Sequence, residues 1–240
     1  MKRLIFAVFF LSIFCASVYA ETNDIKDFAE RFVKKIDAKF ISYHDMGELF
    51  EVVFEAKGKK GILYLTKDRQ YIIIGAVVTK EGKNLTKERL QSLNKVRFSD
   101  IPLDSAIAIH KGNGKKKLVM FTDIDCPHCR KAFEWLETKT DYSLYVFLSP
   151  IERLHPKARG KSIQVLCSDN PAVALADAKK GIPLKITSCE AGERALAKHV
   201  LVSQIIGVKG TPLFVFEDGR ILEGFNEAEL ARYVSGMGDL

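Results

Sequence analysis

A strand that reads as buried, Leu118-Val119-Met120-Phe121, runs straight toward Cys126-Pro127-His128-Cys129 and then into an amphipathic stretch carrying Phe133, Trp135 and Leu136. That junction constrains the chain more than any other segment. It places Cys126 at a helix N-cap and Pro127 at the first helical position, where a missing amide hydrogen costs nothing. Unpaired backbone amides and the positive end of the helix dipole favour a thiolate there, and cysteines so placed reach pKa values of roughly 3.5 to 7.5. Cys129 falls one turn deeper, on the buried side, close enough to resolve a mixed disulfide formed at Cys126. Cys126 is the candidate nucleophile and Cys129 the candidate resolving thiol. His128, on the first turn, can bring an imidazole near the Cys126 sulfur and stabilise the anion, or be a plain exposed histidine.

Other uses of a C-x-x-C pair fit less well. Haem attachment needs a histidine after the second cysteine, and Arg130 stands there. A structural zinc site needs two further ligands at familiar spacing, and Cys167 and Cys189 lie far apart in sequence with no adjacent partner. No metal and no cofactor is expected. Gly210-Thr211-Pro212 precedes a second apolar strand from Leu213, and a proline at the start of a strand is a candidate cis peptide. A cis bond would present the Thr211 backbone to an extended substrate, whereas a trans bond would make it an ordinary turn.

The remaining pattern divides the chain. Ile25, Phe28, Ala29, Phe32, Val33 and Ile36 fall at helical spacing. Segments 49–56, 61–66 and 70–78 are rich in β-branched and aromatic residues and separated by charged turns, which predicts an antiparallel meander. Its last strand, from Tyr71 to Val78, is apolar on both faces and would need covering or pairing. A polar helical stretch opens at Thr86 and continues to Arg97 as a linker. Beyond it, strands at 106–110, 118–121, 144–148, 213–217 and 221–224 alternate with helices at 127–138, across 157–204 and at 227–235, the order of an α/β domain. The expectation is an α+β chain: a leader over 1–20, a small helix-plus-antiparallel-sheet domain over 21–85 that dimerises, a linker helix over 86–104, and a catalytic domain with a helical insertion over 105–240.

The first residues carry Lys2 and Arg3, an apolar run from Leu4 to Phe14 and small residues closing at Ala20, the form of a secretory leader cleaved after Ala20. The run is shorter than the roughly 20 apolar residues of a membrane span. Removing this leader takes away two basic and no acidic residues from a net charge of +7. A moderate basic excess affects solubility and encounter. Basic runs such as Lys115-Lys116-Lys117 lack interleaved aromatics, so no nucleic-acid partner is expected. Four cysteines, at 126, 129, 167 and 189, remain after the leader, and an exported compartment permits disulfides.

The stretches from Phe121 to Cys129, from Gly207 to Pro212, from Gly61 to Thr66 and from Tyr71 to Gly75 resemble the thioredoxin superfamily, and more closely the periplasmic disulfide isomerases of the DsbC/DsbG type. The resemblance implies a thioredoxin-like catalytic domain and a V-shaped homodimer joined through the N-terminal domains. It places the reactive cysteines at Cys126 and Cys129 and a cis proline at Pro212 after Thr211. It also implies a second, structural disulfide between Cys167 and Cys189, exported protein substrates, and a membrane thiol reductant of the DsbD type. From the residues alone those two cysteines are either bridged, closing a loop worth roughly 3 kcal/mol, or free buried thiols. Pro127-His128 departs from the pattern: isomerases of this type carry Gly-Tyr there, and Pro-His is the pair of DsbA oxidases. Thr211 fits the isomerase side.

The expected function is a periplasmic disulfide isomerase or reductase in which Cys126 attacks a wrong disulfide. A DsbA-like dithiol oxidase and a chaperone-like binding protein with secondary redox activity are the rivals.

Overall fold

The computed structural model describes residues 25–235; the expected leader, with the expected cleavage after Ala20, lies outside them. The chain separates into two compact units, divided between Asn94 and Lys95.

The first unit is built on four antiparallel strands in sequence order: β1 (Lys39–Asp45), β2 (Leu49–Ala56), β3 (Lys59–Thr66) and β4 (Ile72–Ile73). Successive side chains of a strand point to opposite faces, and the two central strands are apolar on both. Phe50, Val52, Leu63 and Leu65 pack against Ile25 and Ala29 of a helix over residues 25–35, α1. Val53, Ile62 and Tyr64 face the other way, against Leu90 and Leu93 of α2 (Leu85–Leu93).

Three features differ from the sequence expectation. β1 was not foreseen, because this edge strand has no fully buried residue and a register shift between Phe40 and Ser42, so no apolar alternation announces it. The strand expected over 70–78 shrinks to two residues. After Ile73 the chain leaves β3, and the Val77 amide donates to Thr86 Oγ1 while its carbonyl accepts from Leu85 N. The helix expected from Thr86 to Arg97 starts earlier and ends sooner. Asn84 caps it by accepting from Lys87 N, Thr86 is buried, and Asn94 ends it with its side chain bonded to both Lys60 N and Lys60 O. Residues from Phe98 to Asp100 and from Leu103 to Ser105 form two short 3-10 turns instead of helix.

The second unit holds a five-stranded sheet in the order β5-β7-β6-β8-β9. Its strands are β5 (Ile107–Lys111), β6 (Lys116–Thr122), β7 (Tyr142–Leu148), β8 (Leu213–Phe216) and β9 (Ile221–Glu223). Only β6 and β7 are parallel, joined by α3 (Pro127–Glu137) as the crossover helix. β6 is buried through its last five residues because both its faces are covered. Leu118 and Met120 meet Phe133, Leu136 and Leu230, whereas Val119 and Phe121 meet Phe147, Val215 and Ile101. Between β7 and β8 lies the helical insertion of α4 (Ala158–Leu166), α5 (Pro171–Lys179) and α6 (Glu190–Ile206), followed after β9 by α7 (Glu227–Val234). The fold class is therefore α+β, a helix-and-antiparallel-sheet unit followed by a thioredoxin-like one. Among the described residues no helix is long and apolar enough to cross a membrane.

Candidate functional site

The end of β6 and the start of α3 place Cys126 at the N-cap, with Pro127 at the first turn. The Cys129 amide donates to Cys126 Sγ at 3.4 Å, and the Cys126 thiol points to the Thr211 carbonyl at 3.5 Å. The bond between Thr211 and Pro212 is cis. Cys126 and Cys129 are both unbridged thiols, and Cys129 is the more enclosed, fully buried in the core beneath the helix.

The two sulfurs have opposite electrostatics. Cys126 is lowered to about 5, chiefly because the Cys129 thiol donates a hydrogen bond to its sulfur. Burial works against this, and the backbone amides of Cys129 and His128 and the Thr211 side chain add to it. Cys129 is pushed far up, first by burial and then by that same bond to Cys126, while Lys179, Thr122 and Thr211 pull it back. A proton shared this way leaves one anion at the less enclosed sulfur and one neutral thiol behind it.

His128 stands on the first turn of α3. Its side chain is exposed, and the group of His128 that bears on the Cys126 sulfur is its backbone amide.

Beneath the motif lies a polar cluster that the sequence reading did not single out. Asp123 is fully buried, and its carboxylate accepts from Asp125 N at 2.8 Å and Ile151 N at 2.6 Å, with His155 Nδ1 3.1 Å away. Lys179 is also fully buried, and its ammonium donates to Thr122 Oγ1 at 2.8 Å and to the Asp123 carbonyl at 2.6 Å. The signal in the sequence was faint. Lys179 sits four residues after Leu175 on the apolar stripe of α5, but the neighbouring Lys180 makes the pair look like a solvated helix end. Among the described residues no group of three or more His, Cys, Asp or Glu side chains stands together so as to hold a metal ion.

Cys167 and Cys189 form a disulfide, with Cα atoms 5.9 Å apart, at the end of α4 and the N-cap of α6.

A family model described as a thioredoxin-like domain matches residues 103–235, and another, described as the disulfide bond isomerase protein N-terminal domain, matches residues 16–87. This chain belongs to the thioredoxin-like family, in its DsbC type. It is 33% identical over 168 residues to the "Probable thiol:disulfide interchange protein DsbC" of Bordetella avium (strain 197N), a stretch covering 69% of this chain and 59% of that relative. The DsbC protein of Salmonella typhimurium is 27% identical, with 69% and 68% covered. The matched stretch thus spans about three fifths of the length of the Bordetella relatives and about two thirds of the Salmonella one. The crystal structure of a disulfide interchange protein from Neisseria gonorrhoeae superposes with a TM-score of 0.51 at 34% identity, covering 56% of this chain and 96% of that one.

Proposed function

We propose that this protein is an exported thiol:disulfide interchange enzyme acting as an isomerase or reductase on misfolded proteins in the periplasm. The observation that carries the reading is the pair of sulfurs at the head of α3: Cys126 capping the helix with its proton lost near pH 5, and a neutral Cys129 one turn deeper.

The chemistry follows from that arrangement. The Cys126 thiolate attacks one sulfur of a substrate disulfide, a new Cys126–substrate bond forms, and the other substrate sulfur leaves as a thiolate and takes a proton from water. A substrate thiol can then attack elsewhere and finally displace Cys126, which is isomerisation with no net redox change. Alternatively Cys129 attacks Cys126, the enzyme pair becomes a disulfide and the substrate leaves reduced by two electrons. The Thr211 carbonyl, within 3.5 Å of the Cys126 sulfur, lies where an extended substrate backbone would run.

Two features support the remaining parts of the reading. Tyr71, Ile74 and Val78, flanking the short edge strand β4, are exposed apolar side chains of the first unit, which suits self-association through that unit. A homodimer is expected in sedimentation of the whole chain, and Ile74→Lys should shift it toward monomer; a parent that sediments as a monomer removes this part. A membrane thiol reductant of the DsbD type would keep Cys126 and Cys129 reduced.

The low Cys126 value favours a second reading. A thiolate so stabilised favours the reduced form and makes the disulfide form a stronger oxidant, the property of a dithiol oxidase. Rates of refolding scrambled ribonuclease and of oxidising reduced ribonuclease separate the two. Faster rescue of the scrambled form, lost in Cys126→Ala, is expected. An enzyme that only oxidises overturns the isomerase reading, and full activity of Cys126→Ala overturns both.

A further inference from the structure

Protein interiors exclude ammonium groups more strongly than almost any other, because desolvating an unpaired charge is costly. Lys179 is nonetheless completely enclosed. Its stem follows the apolar stripe of α5, and Nζ reaches the end of β6, where both acceptors it meets are neutral: the Thr122 hydroxyl and the Asp123 carbonyl. The Asp123 carboxylate is turned instead to Asp125 N, Ile151 N and His155. A hydroxyl that accepts from Lys179 keeps its own hydrogen to donate, and the Thr122 side chain is among the groups that draw the Cys129 thiol down.

We propose that Lys179 is a positioning residue for the resolving thiol: its ammonium orients the Thr122 hydroxyl toward Cys129 and supplies the buried positive charge that lets this sulfur ionise inside a mixed disulfide. The proposal rests on the disulfide-exchange reading of Cys126 and Cys129. In the step concerned, Cys129 gives its proton to water and its sulfur bonds to Cys126 Sγ. The bond from Cys126 to the substrate sulfur breaks, and the substrate leaves with that electron pair and is protonated to a thiol. The hydrogen bond that Cys129 gives to the free Cys126 thiolate is gone once Cys126 is in the mixed disulfide, so the thiol then depends on Thr122, Thr211 and Lys179.

The groups facing Lys179 are Cys129 and Arg130 on α3, Cys126 at its cap, and Asp123 after β6. Burial is the largest influence and lowers the lysine to about 8; the two cysteines and Asp123 oppose it and Arg130 adds to it. The side chain is therefore mostly charged at neutral pH. Retention of that charge also sets how long a substrate stays bound to Cys126, and so how exchange divides between release by Cys129 and rearrangement.

The test uses the reduced full chain mixed with oxidised glutathione, quenched in acid and separated by mass from about pH 6 to about pH 9. Formation of the Cys126–glutathione disulfide and its resolution by Cys129 are read as two rate constants. In Lys179→Met, formation should stay within about threefold of the parent while resolution slows by about tenfold at neutral pH, since a rise in thiol pKa is partly offset by greater nucleophilicity. The gap should narrow as pH rises through about 8 and the parent's own Lys179 loses its charge. Unchanged resolution, or both steps slowed by one factor at every pH, overturns the proposal. Thr122→Val, which removes the bridging hydroxyl and keeps the volume, should give the same signature and decides the matter if Lys179→Met does not fold; unchanged resolution in Thr122→Val then overturns the proposal. A parent that forms no adduct at Cys126 overturns the exchange reading, and this proposal with it.

Discussion

At the scale of single residues the site is an exercise in where protons sit. Cys126 loses its proton because Cys129 lends it a hydrogen bond and the first turn of α3 lends it amides, against the cost of burial. The reduced enzyme should therefore be alkylated by iodoacetamide with a rate that titrates at about pH 5, with Cys129 unreactive through neutral pH; a midpoint near that of free cysteine would sink the assignment. The Asp123 carboxylate does different work, tying the amides of Asp125 and Ile151 in a buried corner. Asp123→Ala leaves those amides without an acceptor and should cost about 1 to 3 kcal/mol, read as a lower urea midpoint at unchanged slope.

At the scale of elements, the helical insertion is fastened to itself where α4 meets α6. The disulfide between Cys167 and Cys189 crosses this contact directly against Gly192, in the first turn of α6. A Cβ built on Gly192 would stand 2.8 Å from the Ile163 carbonyl and closer still to Cys167 Sγ. Both neighbours are held, one in backbone and one in a covalent bridge, so neither can yield. Gly192→Ala should destabilise the second unit by about 1 to 3 kcal/mol, the range for overpacking, and a thermal melt of the oxidised protein checks it. Gly61 on β3 differs: a Cβ there would meet the far end of the Phe54 side chain across the β2–β3 pair, a neighbour that can turn aside. At Gly192 the glycine is required by close approach and not by an unusual backbone angle.

At the scale of the whole molecule, stability and pH are linked through a histidine far from any chemistry. His199, on α6, is fully buried and bridges three segments: its Nδ1 accepts from Leu148 N at 3.0 Å, and its Nε2 is 2.6 Å from the Ser105 carbonyl, to which it donates as the neutral ring. Burial holds its pKa below the usual value, with the Ser105 carbonyl pulling the other way. The unfolded chain takes up a proton at His199 from about pH 6.5 downward while the folded chain resists, so this contribution is full above that pH and is lost as pH falls. Unfolding free energy should decline toward acid with a slope of up to about 1.4 kcal/mol per pH unit from this group. In His199→Gln that component of the slope should vanish; a parent whose stability is flat between neutral and mildly acid pH refutes the assignment.

The positions of Cys126, Pro127 and Cys129 at a strand-to-helix junction were legible in the chain itself, because capping, proline at the first turn and apolar phasing are local rules. So were the two-unit order, the central strands β2, β3, β6 and β7, and the proline at the head of β8. Sequence also marked Cys167 and Cys189 but left open whether they bond, since pairing depends on where two distant helix ends meet. Tertiary structure alone decided the rest. It ended β4 after two residues by giving the Val77 backbone to α2, formed β1 on an edge with no apolar alternation, and turned His128 outward. It also carried Lys179 of α5 into the interior and onto the Thr122 hydroxyl at the end of β6. The physical reason is common to all four: propensity and periodicity act over a few residues along the chain, whereas burial, charge and hydrogen-bond partners are assigned by groups that meet only when distant segments pack.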